Sequence, residues 1–169
     1  MNRMSSRALV VARPVIQGLT VLNVLYAASI IVLLTSSFFV PGWPEKPLGF
    51  DLATHPQAAI GVRAIMVIGV LAAGIVHTIL RRLLAIVDSV RSGDPFVLHN
   101  ARRLDAIAWS VLAIELLRLA VIAIAAAALE PTRLGGFTLA PWLAVLLLFV
   151  LSGVFAQGAR MRADLEGTV

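Results

Sequence analysis

Glu115 and Arg118 are the residues whose types and spacing could do chemistry, because both interrupt the otherwise apolar run Ala106 to Leu129. Without them that run has the length and composition of a membrane-crossing helix. A charge near the bilayer centre is expensive, so each must face protein, water or the other. Three residues apart on a helix, they share a face and can neutralise each other. Burial of such a pair still carries a desolvation cost unless further polar groups complete its hydrogen bonds. At helical rise Glu115 lies about 15 Å from Asp105, and Asn23 lies about as far from Arg13 on an earlier apolar run. Tyr26 and Ser152 fall at similar or slightly deeper positions. Glu115, Arg118, Asn23, Tyr26 and Ser152 therefore form a candidate intramembrane polar cluster. Two roles fit it: an interhelical clamp that fixes register or a dimer interface, or a small cavity handling a proton, an ion or a polar ligand. No second intramembrane carboxylate supplies a relay.

Other chemistry has little to stand on. His77 falls one turn inside an apolar run and fits an interface residue better than a proton switch. No metal site is expected, since His55, His77 and His99 are not paired with one another or with a carboxylate at ligand spacing. The chain has no cysteine, which removes disulfides and thiolate chemistry together. There is no phosphate-binding Gly-Lys motif and no nucleophile elbow. The expectation is a protein without enzymatic activity and without a cofactor.

The elements that position the charged pair follow from composition. Of 169 residues 60% are hydrophobic and 14% charged, and the mean hydropathy is +0.95, which leaves too little polar surface to cover a soluble globule. Four stretches are long enough to cross a bilayer: about 15–40, 60–80, 106–129 and 141–159. The first is ended by Pro41-Gly42-Trp43-Pro44 and is too long for a secretory signal, so an uncleaved helix is expected. Arg63 is expected to snorkel at one end of the second. Trp43 and Trp142 would mark one interface and Trp109 the other. Small residues Gly69, Ala73 and Gly74, and Ser152, Gly153 and Ala156, would let helices approach closely.

The net charge of +5 is explained by its distribution. Arg3, Arg7 and Arg13 precede the first span; Arg81, Arg82, Arg91, Arg102 and Arg103 lie between the second and third; Arg160 and Arg162 follow the fourth. The opposite side holds Lys46, Arg63 and Arg133. The positive-inside rule then puts both termini and the central connection in the cytoplasm, and no direct nucleic acid contact is needed to account for the basic excess.

In the central connection, Leu83, Ile86, Val87 and Val90 continue the second helix as an amphipathic extension that Gly93 would stop. After Asp94-Pro95-Phe96, Asn100 is positioned to cap a third helix carrying Leu104, Ile107, Ala108 and Val111 at helical spacing. A helical hairpin that reaches past the membrane surface is expected, with Arg91, Gly93, Pro95, Phe96, Asn100, Arg102 and Arg103 as its basic and turn residues. The stretch Ser92-Gly93-Asp94-Pro95-Phe96, followed by Asn100, Arg103-Leu104 and Ile107, resembles the signature of domain-of-unknown-function family 2975, bacterial four-helix membrane proteins. The order of spans fits the whole chain. The resemblance implies a bacterial cytoplasmic membrane protein and, because members are often encoded beside a small helix-turn-helix regulator, a regulatory or envelope role. It supplies no catalytic residue.

The expected architecture is all-α: one polytopic domain over 1–169, with four transmembrane helices in a bundle and a cytoplasmic hairpin between helices two and three. The expected role is accessory or regulatory, with the basic hairpin offered to a protein or lipid partner. The alternative is a small oligomeric transporter or channel using the Glu/Arg cluster. Beyond the lipid bilayer, a second copy of the chain and a cytoplasmic regulator are the partners these features allow.

Overall fold

A computed structural model describes residues 3–40, 43, 57–92, 97–128 and 138–166, with backbone alone for 3–10 and 165–166. It holds four helices among these residues: α1 (Arg3–Phe39), α2 (Ala58–Arg91), α3 (Leu98–Ala128) and α4 (Ala140–Glu166). All four contain a stretch long and apolar enough to cross a membrane, so the chain is a multi-pass membrane protein by length and composition. Each helix is longer than its apolar run. α1 begins well before Val15 and passes through Pro14, whose missing N–H forfeits one backbone hydrogen bond.

Packing follows the order of the chain. α1 lies against α2, α2 against α3 and α3 against α4, and among the described residues no other pair of helices meets. The arrangement is an open row, not a bundle closed by contact between α1 and α4. The most buried apolar residues accordingly lie on α2 and α3, with Ala58, Ala73, Ala101, Ile107, Ala108 and Ala125 all nearly inaccessible. Most are alanine, because in lipid helices associate by close van der Waals approach and not by expulsion of water.

Gly61 marks the closest approach. A Cβ built on it would stand 2.5 Å from the Ala128 Cβ, so α2 and α3 touch there only because position 61 has no side chain. Gly69 faces α1, where an added Cβ would come within 3.1 Å of Ile30 Cδ1, whereas Gly74 and Gly153 have open space beside them. The small residues expected to allow close packing thus divide: Gly69 and Ala73 meet a neighbour, and Gly74 does not.

The α1–α2 contact is stapled at three levels. Arg13 Nε lies 3.7 Å from Asp88 Oδ1, Asn23 Nδ2 donates to Ala73 O at 3.0 Å, and Arg63 donates from Nη2 to Ser37 O at 2.7 Å and from Nε to Ser37 Oγ at 3.2 Å. Arg63 also stands 4.9 Å from the centre of the Phe38 ring. It therefore closes the last turn of α1, satisfying a carbonyl that the helix end leaves without an intrahelical donor.

Candidate functional site

Glu115 is 3% exposed, and its carboxylate is gripped along one edge of the Arg118 guanidinium. Nε donates to Oε2 at 2.9 Å and to Oε1 at 3.1 Å, and Nη2 donates to Oε1 at 2.6 Å. This forked geometry is the strongest form of carboxylate–guanidinium pairing, and helical spacing alone brings it about. The remaining reach of Nη2 is toward Thr138 Oγ1 at 3.4 Å, just before α4.

The other members of the expected cluster separate. Asn23 is committed to the α2 backbone at Ala73, so it staples α1 to α2 and makes no bond to the charged pair. Tyr26 does share a space with Arg118: both line a groove of about 380 Å³ whose floor is α2 and whose walls are α1 and α3. Ser152 bonds Phe149 O on its own helix at 3.0 Å and lines a different cleft, with Ala101, Arg102 and Asp105. Its displacement has a clear cause. α4 starts level with Arg118, and Trp109 meets Phe149 edge to face at 5.3 Å, so α3 runs about 15 Å past the start of α4, from Arg118 to Ala128. Depth counted from the ends of the apolar runs assumes that the two helices start and stop together, and here they do not.

In the connection between α2 and α3, Gly93, Pro95 and Phe96 lie outside the described residues. α2 continues to Arg91 as the amphipathic pattern requires, and Ser92 N–H closes onto Asp88 O at 3.1 Å. Asn100 is not the cap of α3, which begins at Leu98. Instead it is fully buried and bridges the two helices: its Nδ2 donates to Ser89 Oγ on α2, and its Oδ1 accepts from Arg103 Nη1 at 3.0 Å.

The arginines of this arm fall into two groups. Arg103 Nη1 also donates to Ala85 O at 3.1 Å, and Arg82 Nη1 donates to Ala106 O at 2.9 Å and Ser110 Oγ at 3.1 Å. These two guanidinia are half-buried and tie α2 to α3. Arg103 is therefore a tie, where the sequence suggested a side chain offered to a partner. Arg81, Arg91 and Arg102 are exposed and carry no hydrogen bond or ion pair among the described residues. Sequence reasoning missed the inward turn of Arg82 and Arg103; the signal available was their position on the face that also carries Ala85, Ala106 and Ser110. No cluster of three or more potential metal ligands occurs among the described residues.

No curated protein and no solved structure matches the chain. The model of one family, described as "Protein of unknown function (DUF2975)", matches residues 21–169, which takes in about half of α1 and all of α2, α3 and α4. The chain belongs to that family.

Proposed function

We propose that this is a non-enzymatic accessory or regulatory protein of the bacterial cytoplasmic membrane, with both termini and the α2–α3 arm in the cytoplasm, and that the arm binds an anionic partner. The division among the arm's arginines carries this proposal. Arg82, Arg103 and buried Asn100 hold α2 against α3 at and beyond the ends of the apolar spans, while Arg81, Arg91 and Arg102 stay exposed. Exposed arginines at this end also serve orientation under the positive-inside rule, and their exposure leaves them able to meet an anionic partner. The charge count along the chain supports the same orientation, since basic residues concentrate at the termini and in this arm. The transport alternative has less support: Glu115 and Arg118 neutralise each other's charge, and the described helices of one copy do not close around a path.

The test is binding of the protein, reconstituted in neutral-lipid nanodiscs, to phosphatidylglycerol vesicles and to a polyglutamate peptide. Arg91→Gln with Arg102→Gln should weaken binding about tenfold or more at low salt, at about 1 kcal/mol per arginine near an anionic surface, and leave thermal stability unchanged. Arg103→Gln should lower stability. Equal binding by the double variant and the unaltered protein would reject the proposal.

A further inference from the structure

Asp105 is exposed on α3 and makes no hydrogen bond or ion pair among the described residues. It lines a cleft of about 350 Å³ between α2 and α3, whose other wall carries Arg82. Arg82 spends Nη1 on Ala106 O and Ser110 Oγ, and its Nε and Nη2 donate to nothing among the described residues. The two opposite charges share one cleft, yet they stand beyond the 4.0 Å reach of an ion pair. Arg102, one turn before Asp105, is likewise unpaired and borders it in the neighbouring cleft toward α4. Below this mouth the α2–α3 cleft loses its charge. It passes Trp109 and Ser110 to reach Ala113, about 12 Å from Asp105 at helical rise, and Ile75, about 10 Å from Arg82. Both helices thus set the charged end of the cleft at the boundary of an apolar span and the uncharged end inside it.

We infer that this cleft holds one phospholipid whose headgroup carries a primary ammonium, with the phosphodiester on Arg82, the ammonium on Asp105 and an acyl chain running past Trp109 toward Ala113 and Ile75. Charge selects the headgroup. A purely anionic headgroup would satisfy Arg82 and face an uncompensated carboxylate, and a lone cation would do the reverse. A group with both charges bridges two residues that are too far apart to pair directly. A water-soluble zwitterion has the charges but leaves the apolar lower half of the cleft unfilled. A quaternary ammonium has no N–H to give Asp105, and it is held elsewhere by a cage of aromatic faces. Here Trp109 is the one aromatic ring lining the cleft among the described residues, and it packs edge to face on Phe149. The inference is independent of the role proposed for the α2–α3 arm and holds for either orientation of the chain.

The purified protein, stripped of lipid in detergent, is titrated with dioleoyl phosphatidylethanolamine, phosphatidylcholine and phosphatidylglycerol. Native mass spectrometry counts bound lipid, and thermal melts follow stability. Phosphatidylethanolamine should raise the melting temperature and bind about three- to tenfold more tightly than either other lipid. Asp105→Asn removes the charge from an exposed side chain without a partner, so the lipid-free melting temperature should not move. Its affinity for phosphatidylethanolamine should fall about three- to tenfold, and the preference over phosphatidylglycerol should vanish. Ala113→Trp fills the lower half of the cleft and should weaken all three lipids; if it fails to fold, Asp105→Asn decides alone. Glycerophosphoethanolamine, the same headgroup without acyl chains, should compete poorly. Equal affinity for the three lipids, an unchanged preference in Asp105→Asn, undiminished binding by a folded Ala113→Trp, or competition by glycerophosphoethanolamine at the concentration of the lipid overturns the inference.

Discussion

Thr138 Oγ1 stands 3.4 Å from Arg118 Nη2, although Thr138 precedes the fourth helix and Arg118 lies in the middle of the third. This contact marks the offset between α3 and α4, and it places the intramembrane ion pair beside the start of α4. The pair is thus a junction between one helix interior and the beginning of the next.

Removing one member of that pair should expose the cost of burying the other. Glu115→Gln leaves Arg118 without its carboxylate and Arg118→Met leaves a carboxylate with 3% exposure and no counter-charge, so each single variant should melt well below the unaltered protein. The double variant should recover much of the loss, because the two effects are coupled. Thermal melts of all four proteins in one detergent measure this coupling. Additive losses would show that the pair is not a clamp.

Asn100→Ala should destabilise by about 1–3 kcal/mol, since it strips Ser89 and Arg103 of a buried partner. Asn100→Asp should recover part of the loss, because the Ser89 hydroxyl can turn to donate to the carboxylate, which also keeps the bond from Arg103. Unfolding midpoints provide the check, with Arg102→Gln as the variant expected to change nothing.

Gly61→Val should be harmful and Gly74→Ala harmless. The first drives a side chain into the Ala128 Cβ, at a cost of about 1–3 kcal/mol, and the second enters open space. Expression level and melting temperature should rank unaltered protein, Gly74→Ala and Gly61→Val in that order, with the first two close together.

A C-terminal green fluorescent protein fusion should fluoresce, and an alkaline phosphatase fusion at the same position should be inactive, if the basic segments face the cytoplasm. Fusions following α1, near residue 50, should show the reverse pattern. An active phosphatase at the C-terminus would invert the proposed orientation of the arm.

Much of the architecture was legible because hydrocarbon thickness dictates run length, and apolar runs are easily seen: the span 60–80 falls inside α2, and residues 106–128 of the next span fall inside α3. The Glu115–Arg118 pairing was legible for a similar reason, being local and set by helical spacing. Relations between helices were not. Asn100 has the residue type of a cap, and only the approach of Ser89 on α2 makes it a bridge. Arg103 has the composition of a surface residue, yet the Ala85 carbonyl lies within its reach. Ser152 was misplaced because nothing in the sequence reports how far α4 slides along α3, which depends on contacts such as Trp109 with Phe149.

Because each helix of the row leans only on its predecessor in the chain, none has to wait for a later one to find its place. The molecule can be assembled in the order in which it is synthesised, α2 docking on α1 as it leaves the ribosome and α3 on α2 after it. Contacts between helices that are not neighbours in the chain are not needed to hold this row among the described residues. Among the described residues the row has α1 and α4 at its two edges, each packed against one neighbouring helix.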